Sequence, residues 1–272
     1  MACIAFAACL SGEARAAPAR RGMYVRDAVL LTATPPSRAR LDRLLDQRSV
    51  TEVIPYNLGP MLATIAQREG LALWIDELHR HGARVIVPVA GHDRLRALAT
   101  LFAEHPATWI DGMVTEVEFW NRSDRAIAFE ELIALVADMR ISATVWQHGG
   151  KKMPIGVYLG YPDQAESARL AAAIDFAYAD YSVDAPARAW SWVHAKGGPL
   201  RQRFAWLASA GVDVWPIFYA AGEVDMVAAL RADGTGAAEA RFRADLVADP
   251  DFGRLVTAGF VYFTFEAMPD PR

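Results

Sequence analysis

Cysteine is almost missing from this sequence. The 272 residues hold two, Cys3 and Cys9. The remainder of the chain can therefore form neither a structural disulfide nor a thiolate metal site. Clustered positive charge is missing as well. Lys and Arg number 28 against 32 Asp and Glu, a formal charge of −4, and it is spread along the chain, so no nucleic acid partner is expected. No apolar run is long enough to cross a bilayer, so no membrane span is expected. The six histidines, His79, His81, His92, His105, His148 and His194, include no pair at zinc spacing on a strand end, and no metal is expected. A serine elbow of the G-x-S-x-G type is absent. The stretch "WQHGGKKMP" at Trp146–Pro154 lacks the spacing of a phosphate loop and reads as a turn before a strand. No cofactor is expected.

What is present begins with an apolar N-terminus. "MACIAFAACL" leads into small and polar residues up to Ala17. That order is similar to the apolar core and cleavage site of a secretory signal peptide, without its basic start. A secreted or periplasmic location is expected, with residues 1–21 outside the folded domain and 22–272 within it. "FAAC" at Phe6–Cys9 is also close to a lipoprotein cleavage pattern, which makes anchoring a lesser alternative.

Beyond it, short apolar runs rich in branched and aromatic residues alternate with stretches of helical spacing. The strand candidates are Met23–Asp27, Glu52–Asn57, Arg84–Gly91, Gly112–Trp120, Pro154–Tyr161, Ile174–Val183, Val212–Ala220 and Gly259–Glu266. Helices fit Ser37–Arg48, Leu71–His81, His92–Glu104, Ala126–Met139, Gln164–Ala173, Leu200–Ala210 and Gly236–Val247. Eight strands alternating with helices predict an α/β fold of the (β/α)8 TIM-barrel type, in one domain. A doubly wound open sheet is the competing architecture. It would ordinarily carry a glycine-rich phosphate loop after an early strand. The eighth helix is apparently missing, and the N-terminal segment or an open side is expected in its place.

The fourth strand poses the chemical question. "WIDGMVTEVEFWNRSD", Trp109–Asp124, sets Glu116 and Glu118 inside an apolar run. Burying a carboxylate without a partner is costly. Strand side chains alternate, so Val114, Glu116, Glu118 and Trp120 would share the face opposite Met113, Val117 and Phe119. The acidic face then points into the barrel near the C-terminal strand ends, where barrel active sites lie. Two carboxylates about 6.5 Å apart along a strand push each other's pKa apart, and one can keep its proton near neutrality and act as an acid. A structural pair, each hydrogen-bonded to barrel Tyr or Arg side chains, is the plainer alternative.

The stretch Asp111-Gly112-Met113-Val114-Thr115-Glu116-Val117-Glu118 resembles the fourth-strand motif D-G-[LI]-D-x-D-x-E of glycoside hydrolase family eighteen, the chitinase type. Asp111 matches the first aspartate, Glu116 stands at the assisting aspartate, and Glu118 at the catalytic acid. Val114 replaces the second aspartate. "RVIVPVAGHDRLRALA" resembles the third strand of that family and "AGFVYFTFE" the eighth. The resemblance implies cleavage of N-acetylated sugars in which the acetamido oxygen of the substrate is the nucleophile. It implies Glu118 as general acid, and Glu116 as the group that orients the acetamido and stabilises positive charge.

Two other readings stay open. Glu118 can pair with a second catalytic carboxylate, Glu223 or Glu266, at about 5–5.5 Å for a retaining mechanism or about 6.5–9.5 Å for an inverting one. Alternatively the barrel binds carbohydrate without cleaving it, a reading that the loss at Val114 favours. Aromatics suit sugar faces, and Tyr56, Trp120, Tyr158, Tyr178, Tyr181 and Tyr219 fall near strand ends. The candidate substrate-binding residues are Arg26, Tyr56, Asn57, Trp120, Tyr158, Asp180, Tyr219 and Glu266. The expected partner is a carbohydrate substrate or ligand.

Overall fold

The computed structural model describes residues 20–26, 35–47, 49–180, 199–219, 234–240, 242–244 and 259–264. Residues 1–19, Asp27, Tyr181, Glu223 and Glu266 lie outside these residues, as do Trp190, Trp192 and His194.

Eight parallel strands close into a barrel in sequence order. They are β1 (Arg20–Val25), β2 (Glu52–Pro55), β3 (Arg84–Val89), β4 (Gly112–Thr115), β5 (Ile155–Leu159), β6 (Phe176–Asp180), β7 (Asp213–Tyr219) and β8 (Gly259–Phe263). The helices are α1 (Pro35–Gln47), α2 (Gly59–Leu62), α3 (Ile65–Arg80), α4 (His92–Glu104), α5 (Arg125–Val145), α6 (Gln164–Ala171) and α7 (Pro199–Ser209), and residues 234–240 and 242–244 are also helical. The protein is a single-domain (β/α)8 TIM barrel, as the alternation predicts. None of the described helices is long and apolar enough to cross a membrane.

Alternation along each strand divides the core in two. Outward residues such as Val53, Val85, Val87 and Met113 pack beneath Trp74, Leu78, Leu98 and Leu132 of the helices. Inward residues fill the barrel with Tyr24, Ile54, Ile86, Val114, Phe176, Tyr178, Trp215, Ile217 and Val261. Small residues make room for large ones. A Cβ added at Gly156 would lie 2.2 Å from the Phe176 ring. Gly156→Ala should therefore cost about 1–3 kcal/mol by overpacking. Gly70→Ala, on α3 with nothing within 4 Å of the new Cβ, should instead stabilise by up to about 1 kcal/mol. Urea unfolding of the two variants tests the contrast.

Local chemistry sets the helix starts. Thr64 caps α3 by accepting from the Gln67 N–H at 3.3 Å, so this helix begins six residues before the predicted Leu71. Asp163 and Glu166 form a capping box on α6, and the Arg125 guanidinium grips the same Glu166, with Nε 2.8 Å from Oε1. The short α2 was not anticipated. It follows Asn57, whose left-handed φ of 59° Asn tolerates better than most residues.

The N-terminal end of the barrel is closed by charge. Glu52 pairs with both Arg20 and Arg84 and accepts from the Tyr178 hydroxyl at 3.3 Å. Burial pushes the Glu52 carboxyl above its ordinary pKa, against the pull of Arg20. Tyr178, expected in an aromatic ring around the acids, is instead a buried core residue that bonds toward this closed end. Asp111, at the start of β4, accepts from the Val85 N–H at 2.8 Å and lies 2.9 Å from His79 Nε2. It ties the N-terminal end of β4 to β3 and α3.

Candidate active site

The fourth strand departs from its prediction where it matters. It ends at Thr115, and Phe119–Asn121 form a turn of 3-10 helix. The strand gives way to a turn in which the Asn121 N–H donates to the Glu118 carbonyl at 3.1 Å, and Phe119 is fully buried in the helix layer, with its ring 5.0 Å from that of Phe129 on α5. Val114 and Glu116 keep the inward face. Beyond them the alternation stops, and each side chain is placed by the turn.

Trp120 is the clearest casualty. It was expected to share the inward face, but it packs against Phe119 and, edge-on at 5.5 Å, against Tyr158. A Cβ on Gly160 would meet its ring at 2.4 Å. Trp120 backs the wall that Tyr158 presents and does not itself line the cavity. Glu118 is exposed, and its Oε2 accepts from Asn121 Nδ2 at 2.7 Å.

At the C-terminal ends of the strands lies an open cavity of about 330 Å³. Glu116 and Glu118 both line it, so the turn brings the two acids into one pocket even though it ends their strand. Tyr24, Ile217 and Phe263 lie at the top of the barrel interior, Tyr56 and Tyr158 flank, and Asn57, Leu58, Pro88, Ala90 and Arg94 complete the rim. Tyr24, Tyr56 and Phe263 form an edge-to-face cluster, with centroids 5.3 Å apart for Tyr24–Phe263 and 5.7 Å for Tyr56–Phe263. This cluster sets a stiff apolar surface beside the carboxyls.

Burial raises the Glu116 pKa to about 7, a hydrogen bond from Tyr24 opposes this, and the neighbouring Glu118 adds to it. Tyr24 in turn is held neutral well past its usual range, first by burial and then by the Glu116 charge. Near neutrality, then, Glu116 carries a proton for part of the time at the inner wall of a solvent-open pocket.

Of the other candidate residues, Tyr56, Asn57 and Tyr158 line the cavity. Arg26, exposed at the end of β1, does not. Asp180 does not either: it is buried at the end of β6, with 7% of its surface exposed. Tyr219 ends β7, its side chain outside the described residues. Sequence reasoning missed Tyr24, Phe263 and Arg94. Tyr24 was legible as an inward position of β1. Arg94 carried a subtler signal, a cation in the first turn of a helix that follows a barrel strand, which sets it at the C-terminal rim.

No family model matches the chain, and no curated protein does. Solved structures do. A chitinase from Bacteroides thetaiotaomicron superposes with a TM-score of 0.52 at 9% identity, over 92% of this chain and 90% of that one. The AHE enzyme from Alicyclobacillus herbarius gives 0.52 at 10% identity, over 90% and 88%. A protein described as a deoxyribose-phosphate aldolase from Toxoplasma gondii ME49 gives 0.50 at 11% identity, over 91% and 88%. The likeness is one of fold. These are TIM-barrel enzymes of differing chemistry, and a barrel of this type is shared by many reactions.

Proposed function

We propose that the protein is a glycoside hydrolase acting on N-acetylated sugars, with Glu116 and Glu118 as its acidic pair. The observation that carries this reading is a carboxyl with a pKa of about 7 facing an open pocket, beside a second carboxylate. A general acid works best when its pKa lies near the working pH, and glycosidic cleavage needs that proton on the leaving oxygen. The resemblance of the fourth-strand motif to the chitinase family assigns the acid to Glu118. The half-buried setting of Glu116, which raises its pKa, and the exposure of Glu118 favour the reverse. Glu116 donates the proton, and Glu118 orients the acetamido group and stabilises positive charge from the rim. The nucleophile is the acetamido oxygen of the substrate, which makes a further protein carboxylate unnecessary. The aromatic cluster stacks on the sugar ring, and Asn57 offers both donors and acceptors to hydroxyls.

The cavity speaks against a pocket plugged by aromatics, the arrangement that a silent binding barrel would favour. A Schiff-base lyase would need a lysine amine at the site. Among the described residues none lines the cavity, and Lys151 and Lys152 sit in a depression at the other end of the barrel. The apolar N-terminus supports export, and secretion belongs to the same proposal.

The test is hydrolysis of matched oligosaccharide panels, acetylated and not, by wild type, Glu116→Gln and Glu118→Gln. Cleavage confined to acetylated sugars, and lost in Glu116→Gln, is the expected result. Cleavage of non-acetylated sugars would point to a mechanism with two protein carboxylates. Glycan binding without cleavage by any of the three proteins would make the barrel a binder and end the hydrolase reading.

A further inference from the structure

The pocket holds a cation that the reaction above does not use. Arg94 stands in the first turn of α4 and lines the cavity beside Pro88 and Ala90. It is half-buried. Burial moves its pKa downward, with no charge among the described residues contributing, and the side chain stays a cation. Several other helix arginines that are part-buried or at helix contacts are matched to carboxylates: Arg68 to Glu104, Arg125 to Glu166, Arg140 to Asp175 and Arg169 to Glu130. Among the described residues no carboxylate pairs with Arg94. Glu118 shares the cavity but bonds to Asn121 instead.

Position adds to this. A Cβ on Gly59 would lie 3.0 Å from Arg94 Nη2, so the guanidinium packs against the start of α2 with little slack. On its other side Arg94 lines a second depression of about 620 Å³, with Gly59, Ala63, Gly91 and Ala97. The guanidinium thus stands on the divide between the cavity over the barrel axis and an adjoining shelf of mostly small residues. Withdrawing a cation from water without a partner is costly. A bound anion offsets that cost, and the planar fork of donors matches a carboxylate in two parallel hydrogen bonds.

We infer that Arg94 is an anion-recognition residue and that the sugar bound here is acidic, with a carboxylate on the ring or on one of its substituents. The inference rests on reading the pocket as a sugar site. A carboxylate suits the site better than a phosphate. One guanidinium balances one negative charge, and repulsion by the Glu118 carboxylate in the same cavity is greater for a dianion than for a monoanion.

The experiment is calorimetric binding of three probes that share one ring: N-acetylglucosamine, N-acetylmuramic acid with its lactyl carboxylate, and N-acetylglucosamine 6-phosphate. The proteins are wild type, Arg94→Gln and Arg94→Lys, each checked by thermal melting. The wild type should bind the carboxylate sugar at least about tenfold more tightly than the neutral one, the low end for charge-assisted contacts. Arg94→Gln should bring that ratio close to one. Arg94→Lys, which keeps the charge and loses the fork, should give an intermediate ratio and serves alone if the Gln variant melts early. A wild-type ratio near one, or a ratio that survives in a well-folded Arg94→Gln, overturns the inference. Tighter binding of the phosphate than of the carboxylate overturns the choice of anion. Arg94-dependent preference for the acid in a protein that cleaves no glycoside supports the inference while the hydrolase reading fails. Binding of none of the three removes the sugar pocket and this inference together.

Discussion

Glu116→Gln should lower kcat about 10²- to 10⁴-fold, the usual contribution of a positioned general acid, on whichever acetylated substrate the wild type cleaves best. The amide matches the protonated carboxyl in shape and hydrogen bonding but has no proton to give. In the wild type kcat/KM should fall as pH rises through about 7, where Glu116 loses its proton. A flat profile to pH 9, or a Glu118→Gln variant that alone abolishes activity, would return the acid's role to Glu118. The same residue makes a second, independent prediction about stability. Its folded pKa of about 7 stands above the ordinary 4.5, so the folded state holds this proton more tightly than the unfolded chain does. Stability therefore declines as pH climbs from the ordinary carboxylate range to about 7 and is level above it. Glu116→Gln removes that penalty, worth on the order of 2–3 kcal/mol. The variant should be more stable than wild type at pH 8 and nearly equal to it at pH 4. Thermal melts at the two pH values measure it, and a variant less stable at pH 8 would contradict the burial of Glu116.

Glu239→Ala should lower stability by about 3–5 kcal/mol, the usual cost of removing one member of a buried ion pair. Glu239 is 5% exposed. It grips Arg21 of β1 with Nε 2.6 Å from Oε1 and Nη2 2.8 Å from Oε2, and it accepts from the Tyr262 hydroxyl of β8 at 2.7 Å. That single carboxylate fastens the helical residues 234–240 onto the seam where the last strand meets the first. The bond to Glu239 raises the Arg21 pKa above its ordinary value, so Arg21 remains charged in the variant and loses both of its hydrogen bonds to this carboxylate. For a domain of this size the loss corresponds to a fall in Tm of about 10 °C. Replacing both partners, Arg21→Met with Glu239→Leu, should recover much of the loss, because both charges of the buried pair are replaced by apolar side chains. A double variant as unstable as the single one would show that the contact matters for shape and not for charge.

Much of the barrel was legible because its signals are local. Apolar residues at spacings of three and four, broken by runs such as "RVIVPV", mark α4 and β3 without reference to anything distant. His92–Glu104 was read with both boundaries right. Boundaries slipped where a local bond outweighed the apolar pattern, as where Thr64 starts α3 early. The candidate site was legible in part. Alternation placed Glu116 on the inward face, and chain order placed Tyr56, Asn57 and Tyr158 at the functional end. It failed at Trp120, because a period of two holds only while the chain remains a strand. The turn that ends β4 at Thr115, closed by the bond from the Asn121 N–H to the Glu118 carbonyl, leaves no mark in the alternation of apolar residues.

The sequence by itself determined the barrel, the parity of its strands and the presence of two acids near the end of the fourth. Those follow from periodicity and from the short range of backbone constraints. Only the tertiary structure decided which acid is the deeper one, that Tyr24 and Phe263 stand beside it, and that Arg94 reaches the same cavity from the start of α4 without a carboxylate among the described residues to hold it. Burial and charge pairing are properties of what arrives from elsewhere in the chain. Tyr24 and Phe263, the first and last strands' contributions to one aromatic cluster, become neighbours only when the barrel closes.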